Sequence, residues 1–170
     1  ENLNRSEVEG LLFGYRHFYG NYDFVGDSRK WYRNEIRIIR NDKKIRSYRD
    51  AQGFRKNGKK LKVVRANARI YHYGWVRSPK YMQEKIDEVR QFYDGITEHE
   101  AKKIAGVNEF SYSGNYDAVA PFYGTHPAVM QKRIYRLNWK VEFDYNKIQM
   151  KPKYRLLHFI EKKTGKRLFE

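Results

Sequence analysis

The segment from Leu61 to Val76 constrains the fold of this chain more than any other feature. From Val64 onward its residues alternate with a period of two, which is the period of a β-strand. One face is small and apolar apart from a histidine, and comprises Val64, Ala66, Ala68, Ile70, His72 and Gly74. The other is polar, cationic and aromatic, and comprises Arg65, Asn67, Arg69, Tyr71, Tyr73 and Trp75. The alternation predicts a long strand with one face toward a core.

The period changes to that of a helix directly after this strand. Ser78 is a suitable N-cap and Pro79 suits the first helical position. A stripe at helical spacing follows and ends before Gly95; it consists of Met82, Ile86, Val89 and Tyr93. The pattern predicts an amphipathic helix behind the strand.

The remaining elements are predicted with strands first and helices later. Strands are expected at Val8–Tyr19, Glu35–Arg40 and Ile45–Phe54, with a hairpin turn at 56–59. Further helices are expected from Thr97, at about 126–137 and at about 152–163, with a loop at 20–30 and an irregular segment at 106–125. This order predicts an α+β fold. Residues 1–76 would form a strand-rich part and residues 77–170 a helical C-terminal extension.

Composition excludes several classes of protein. The 170 residues are 16% aromatic, too rich for a disordered basic tail, and contain no Cys, which excludes disulfides and thiolate metal sites. No apolar run approaches the roughly 20 residues that span a bilayer. A cytoplasmic location is expected, with a membrane-peripheral position as the alternative. The net charge is +16, of which +12 lies in residues 1–80, so the chain is expected to meet phosphate-bearing partners.

Two segments contain the candidate chemistry, and neither is a complete catalytic set. In residues 31–40, Arg37 and Arg40 are candidates to clamp a diphosphate while Glu35 orients them; a solvated edge strand is the simpler alternative. In residues 70–76, His72 suits a metal ligand or a phosphate donor, and a core histidine bonded to a carbonyl is the alternative. Asp50 is a candidate base, or else the partner of Arg46 or Arg49 in a surface ion pair.

Long stretches of the chain also resemble a known family. They begin at Val8 with VEGLLFGYRHFYGNYDFVGDSRKWYRNEIRIIRN, continue with IRSYRDAQGFRK and IYHYGWV, and end with THPAVMQKRIYRLNW and EKKTGKRLFE. These motifs are similar to the C-terminal, acceptor-side half of bacterial family 2 glycosyltransferase-like proteins. The resemblance covers essentially the whole chain.

The resemblance implies a Rossmann-like transferase that moves a sugar from a nucleotide-sugar donor to a glycan or other acceptor, with Mn²⁺ or Mg²⁺ as cofactor. It assigns His72 to the metal or diphosphate, Arg37 and Arg40 to the donor diphosphate, and Asp50 to the catalytic carboxylate. Tyr73 and Trp75 would stack on sugar rings of the acceptor. The nucleotide-binding half and its Asp-x-Asp motif would lie before Glu1, so this chain by itself is expected to be inactive.

Two other classes of function remain as alternatives. Basic and aromatic residues interleave between Arg29 and Arg69, as in nucleic-acid-binding modules, although the chain has no recognisable RNA-binding signature, which disfavours nucleic acid as a partner. The same surface suits an anionic membrane. Of these three classes of function, only the transferase predicts that particular nucleotide sugars stabilise the protein against thermal unfolding.

Overall fold

The computed structural model describes residues 5–48, 53–94, 108–141, 144 and 146–168. The strands are β1 Gly10–Tyr19, β2 Phe24–Gly26, β3 Asn34–Ile39, β4 Ile45–Tyr48, β5 Gly53–Lys56, β6 Lys59–Lys60, β7 Val63–Trp75 and β8 Val119–Pro121. The helices are α1 Pro79–Asp94, α2 Gln131–Tyr135 and α3 Pro152–Thr164, with a 3₁₀ turn at Ala128–Met130. Strands predominate in the N-terminal half and few helices follow. The predicted α+β class is therefore confirmed.

The chain forms two compact units. The first comprises Glu1–Arg16 and Trp31–His72, and the second comprises His17–Lys30 and Tyr73–Glu170. The long strands β1 and β7 therefore have residues in both units.

The larger sheet of the first unit is organised around β1. Strand β3 pairs with it in antiparallel register, with Phe13 opposite Glu35, and β7 also pairs with β1. The register shifts between Leu11 and Leu12, which marks an irregularity in the strand. Beyond the paired residues, the amide of Tyr15 donates to the carbonyl oxygen of Arg33 at 2.7 Å. Because side chains alternate along a strand, Tyr15 lies on the same face as Phe13 and diagonal to Glu35.

A second, three-stranded sheet of the first unit is formed by β4, β5 and β6. Strands β4 and β5 pair antiparallel, with Ser47 opposite Phe54, so the single strand predicted from Ile45 to Phe54 is wrong. The physical reason is that an isolated β-period does not reveal where a chain folds back on itself. The turn predicted at 56–59 is confirmed: Asn57 and Gly58 have φ angles of 48° and 78° between β5 and β6.

Two short strands pair in the second unit. Phe18 of β1 is opposite Val25 of β2, and β2 pairs in turn with β8, so that Val25 is opposite Ala120. The sequence predicted a loop around β2 and an irregular segment around β8. Both strands were missed because three residues are too few to display a period. In the parts of the chain that are described, no helix combines the length and apolar character needed to cross a membrane.

The core of the second unit is rich in aromatic residues. Phe18, Tyr19 and Met82 are fully buried, and the Tyr19 hydroxyl donates to the carbonyl oxygen of Tyr112 at 3.1 Å. Met82 belongs to the predicted stripe of α1, whereas Val89 of the same stripe is exposed. The predicted helix is thus confirmed, with Met82 near its start buried and Val89 farther along exposed. The helix predicted from Thr97 lies outside the described residues.

Candidate functional site

Polar and aromatic side chains gather around Tyr15 in the first unit. We name this set the Tyr15 cluster: Tyr15, Tyr32, Glu35, Arg37 and His72. Glu35 and Arg37 are two residues apart on β3, so their side chains share one face of the strand. Tyr15 comes from β1 and His72 from β7, the two strands that pair in this sheet.

The Arg37 guanidinium connects two members of the cluster. Its Nη2 lies 2.8 Å from Glu35 Oε2 and donates to the Tyr15 hydroxyl oxygen at 3.3 Å. The guanidinium carbon also lies 5.8 Å from the centre of the Tyr15 ring. The sequence-based interpretation that Glu35 orients Arg37 is consistent with this geometry.

Glu35 is a buried carboxyl group beneath an exposed cation. It is 4% exposed, whereas the Arg37 side chain is 49% exposed. Burial raises the pKa of Glu35 above its ordinary value of 4.5, while the charge of Arg37 and hydrogen bonds from Arg37 and Tyr15 act in the opposite direction. A fixed acidic group therefore holds one side of the guanidinium and leaves the other side toward solvent.

Two more rings flank Tyr15. The Tyr32 ring centre lies 4.9 Å from it, and burial together with a hydrogen bond to Tyr15 raises the pKa of Tyr32. The His72 ring centre lies 5.6 Å from the Tyr15 ring at an interplanar angle of 43°, and His72 is half-buried. The imidazole thus lies on the same side of the sheet as Tyr15.

The opposite face of the same strands is also basic. The Arg16 guanidinium lies 5.8 Å from the centre of the Tyr71 ring. Burial and the nearby charge of Arg69 lower the pKa of Arg16. Tyr71 therefore contacts Arg16 of β1, whereas the adjacent His72 contacts Tyr15, the preceding residue of β1. The predicted alternation along β7 is thus confirmed around these positions.

Arg40 has different partners from Arg37. Its Nε donates to the carbonyl oxygen of Val8, and its Nη2 donates to that of Arg5 at 2.6 Å. Its backbone amide donates to the carbonyl oxygen of Glu9 at 3.0 Å. The guanidinium of Arg40 therefore braces the segment before β1, and a diphosphate role would require it to share these donors.

The two predicted acceptor residues lie in the second unit. The Tyr73 ring stacks on Phe18 at 4.7 Å, and its hydroxyl lies 2.8 Å from Nδ1 of His126. Nε2 of His126 donates to the carbonyl oxygen of Tyr22 at 3.1 Å. Tyr73 is thus built into an aromatic cluster and is fixed by a hydrogen bond.

Trp75 borders a cavity of about 400 Å³ in the second unit. Phe110 lies 6.2 Å from Trp75 between ring centres, and Nζ of Lys85 lies 5.7 Å from the indole ring. Lys85 Nζ also donates to the carbonyl oxygen of Gly74 at 2.9 Å, and burial lowers its pKa. An aromatic wall with a cationic group beside it suits a polar ring such as a sugar.

The structure offers no multidentate metal site in its described part. No group of three or more histidine and acidic side chains that could hold a metal ion occurs there. Asp50, the predicted catalytic carboxylate, lies outside the described residues.

No protein-family model, curated protein or solved structure matches this chain.

Sequence reasoning did not identify Tyr15 or Tyr32 as members of the site. The local sequence around each tyrosine contains no motif that marks it as a site residue. Only the pairing of β1 with β3 brings Tyr15 beside Arg37. The available signal was the spacing of Tyr15 two residues after Phe13, which places both on one face of β1.

Proposed function

We propose that this chain is the acceptor-side part of a nucleotide-sugar-dependent glycosyltransferase of the family 2 type, with the Tyr15 cluster at the leaving diphosphate. The observation that carries the proposal is the meeting of Arg37 and His72 at Tyr15. These are two of the residues that the resemblance assigns to the donor phosphates. The Rossmann-like relationship and the nucleotide-binding half are parts of the same proposal.

Glycosyl transfer releases a nucleoside diphosphate, and its developing negative charge must be stabilised. Arg37 supplies guanidinium N–H groups that pair well with phosphate oxygens. Glu35 and Tyr15 fix this guanidinium from one side, so that little side-chain freedom is lost when the phosphate binds. His72 would supply a further donor to the same anion.

In the proposal, residues of the second unit form the acceptor surface. Trp75 and Phe110 provide aromatic area against which a sugar ring can lie, and Lys85 provides a donor beside them. In the proposal Tyr73 supports this surface through its bond with His126. Asp50 is the proposed base that takes the proton from the acceptor hydroxyl.

The divalent metal is an implication of the resemblance alone. The described residues do not by themselves fit a metal site, because no group of three or more histidine and acidic side chains that could hold a metal ion occurs among them. No step of the proposal passes through a metal. The assignment of His72 to a metal therefore remains an implication of the resemblance. A cytoplasmic or membrane-peripheral location belongs to the proposal in the same way.

The decisive experiment measures turnover of a panel of nucleotide sugars by the complete transferase, native and with Arg37→Gln. We expect one donor to be hydrolysed or transferred, and Arg37→Gln to slow this by about 10²-fold, as for removal of one charge-stabilising donor. Lys153→Gln, which removes an exposed cation of α3, is the matched control and should retain full activity. Absence of turnover with every donor, or equal loss in both variants, would contradict the proposal.

A nucleic-acid-binding module is a second candidate, favoured by one observation. The sheet β4–β5–β6 borders a cavity of about 510 Å³ whose lining includes Lys43, Lys44, Arg46 and Arg55. The Arg55 guanidinium lies 4.3 Å from the centre of the Tyr48 ring. This candidate predicts oligonucleotide binding that weakens steeply with salt and is lost in Arg46→Gln/Arg55→Gln. The transferase proposal predicts that this double variant retains sugar transfer.

A further inference from the structure

A second basic cavity, of about 450 Å³, lies entirely in the second unit. Four cationic side chains line it, namely Arg77, Lys132, Arg133 and Arg136. The last three belong to α2 or directly follow it, and Arg77 lies between β7 and α1. This cavity includes no member of the Tyr15 cluster.

Buried and hydrogen-bonded groups form the floor of this cavity. Tyr22 and Val76 are 2% and 3% exposed, and the indole N–H of Trp139 donates to the carbonyl oxygen of Gly20 at 3.2 Å. Burial raises the pKa of Tyr22, and the nearby charge of Arg133 acts in the opposite direction. The aromatic floor is therefore fixed, whereas the basic rim is exposed to solvent.

The rim carries positive charge that its own surroundings do not balance. Residues 126–141 contain no Asp or Glu. Among the described residues, none of the four cations forms an ion pair with a carboxylate. Lys132 and Arg136 are one helical turn apart, a spacing at which like charges repel. A bound anion would relieve this repulsion.

We propose that this cavity binds an organic phosphate, with its phosphate group among the four cations and its ring against Trp139. Guanidinium groups match the oxygen geometry of a phosphate. The cavity volume lies in the range of small-ligand sites, roughly 300 to 1,000 Å³, and exceeds what an inorganic phosphate fills. The aromatic floor supplies the contact that a ring-bearing phosphate makes and an inorganic one does not. The site is independent of the proposed transferase function.

The test is calorimetric titration of the chain with uridine monophosphate, orthophosphate, uridine and sulfate at constant ionic strength. We expect uridine monophosphate to bind at least tenfold more tightly than orthophosphate, and uridine and sulfate to bind more weakly still. Lys132→Gln/Arg136→Gln should weaken binding of the monophosphate at least tenfold. Both side chains are exposed, so the variant should fold, which thermal unfolding checks.

A control separates this site from other basic surfaces. Lys153→Gln/Arg155→Gln removes the same number of exposed charges from α3 and should leave binding of the monophosphate unchanged. Equal binding of all anions, or equal loss in the α3 control, would each overturn the proposal. So would a single-stranded oligonucleotide binding tenfold more tightly than the monophosphate, because that result indicates a nucleic-acid surface.

If the double variant does not fold, the single variants Lys132→Gln and Arg136→Gln provide the same measurement. Each should weaken binding of uridine monophosphate about threefold or more. If neither does, the proposal is wrong.

Discussion

Arg29 and Glu161 form a buried ion pair: Nη1 of Arg29 lies 2.9 Å from Glu161 Oε2, and the two side chains are 8% and 2% exposed. Arg167 approaches the same carboxylate oxygen at 3.9 Å and donates to the carbonyl oxygen of Arg29. Arg29 also donates to the carbonyl oxygen of Leu168. One acidic side chain of α3 thus anchors two arginines, and this network ties the end of the chain to the loop after β2.

Removing this carboxylate should destabilise the protein strongly. We expect Glu161→Ala to lower the free energy of unfolding by about 3 to 5 kcal/mol, because it leaves a buried guanidinium without its partner. Lys162→Ala is the matched control. Lys162 follows Glu161 in the same helix and forms a half-exposed ion pair with Asp27, so its loss should lower the free energy of unfolding by less than about 1 kcal/mol. Urea unfolding of both variants measures the difference, and similar losses would show that the buried pair has no special role.

A side chain at Gly10 is expected to destabilise the protein for a steric reason. A Cβ atom at this position would lie 2.9 Å from the carbonyl oxygen of Ile38 and 3.3 Å from Cγ2 of Ile36 on the paired strand. The nearest atom belongs to the backbone, so it cannot turn aside. We expect Gly10→Ala to lower the free energy of unfolding by about 1 to 3 kcal/mol, as overpacking does. Gly53→Ala, whose Cβ would meet only the side chain of Arg55 at 3.8 Å, is the control and should unfold at nearly the native temperature.

The hydrogen bonds of His126 predict a pH dependence of stability. Burial lowers the pKa of His126 below its ordinary value of 6.5, although the bond to Tyr22 opposes this. With Nε2 donating to Tyr22, Nδ1 accepts from the Tyr73 hydroxyl, which requires the neutral ring. The unfolded chain therefore binds the proton more readily than the folded one. The contribution to stability is complete above pH 6.5 and is lost as the pH falls toward the lower pKa of the folded state.

We expect the melting temperature to fall from pH 7.5 to pH 5.5, and to fall less in His126→Phe. Phe122 packs edge-on against His126 at 5.0 Å, so Phe122→Leu perturbs the same cluster without removing a titrating group. It should lower the melting temperature at every pH and keep the native slope. A His126→Phe protein with an unchanged slope would show that another group causes the pH dependence.

Replacing His72 tests whether this residue is a phosphate donor or a core histidine. Because the imidazole is half-buried beside Tyr15, the proposed transferase function predicts that His72→Ala lowers kcat about 10²-fold while shifting the melting temperature by only a few degrees. Asn67→Ala, at an exposed position of the same strand, is the control and should retain both properties. A large loss of stability with normal turnover per folded molecule would mean that His72 is structural.

The sequence by itself determined the features that depend on neighbouring residues. The alternation along β7 and the change of period at Ser78 fixed a long strand followed by α1, and the spacing of Glu35 and Arg37 placed both on one face of β3. Such patterns are local because side-chain direction repeats every two residues in a strand and about every 3.6 in a helix.

Only the tertiary structure decided which distant residues meet. The pairing of β1 with β3 brought Tyr15 to Arg37, and the placement of α3 brought Glu161 to Arg29, 132 residues away in sequence. It also turned Arg40 toward main-chain oxygens, although its sequence context resembles that of Arg37. The physical reason is that a period specifies the face on which a side chain lies, whereas strand register and helix packing select its partner from the whole chain.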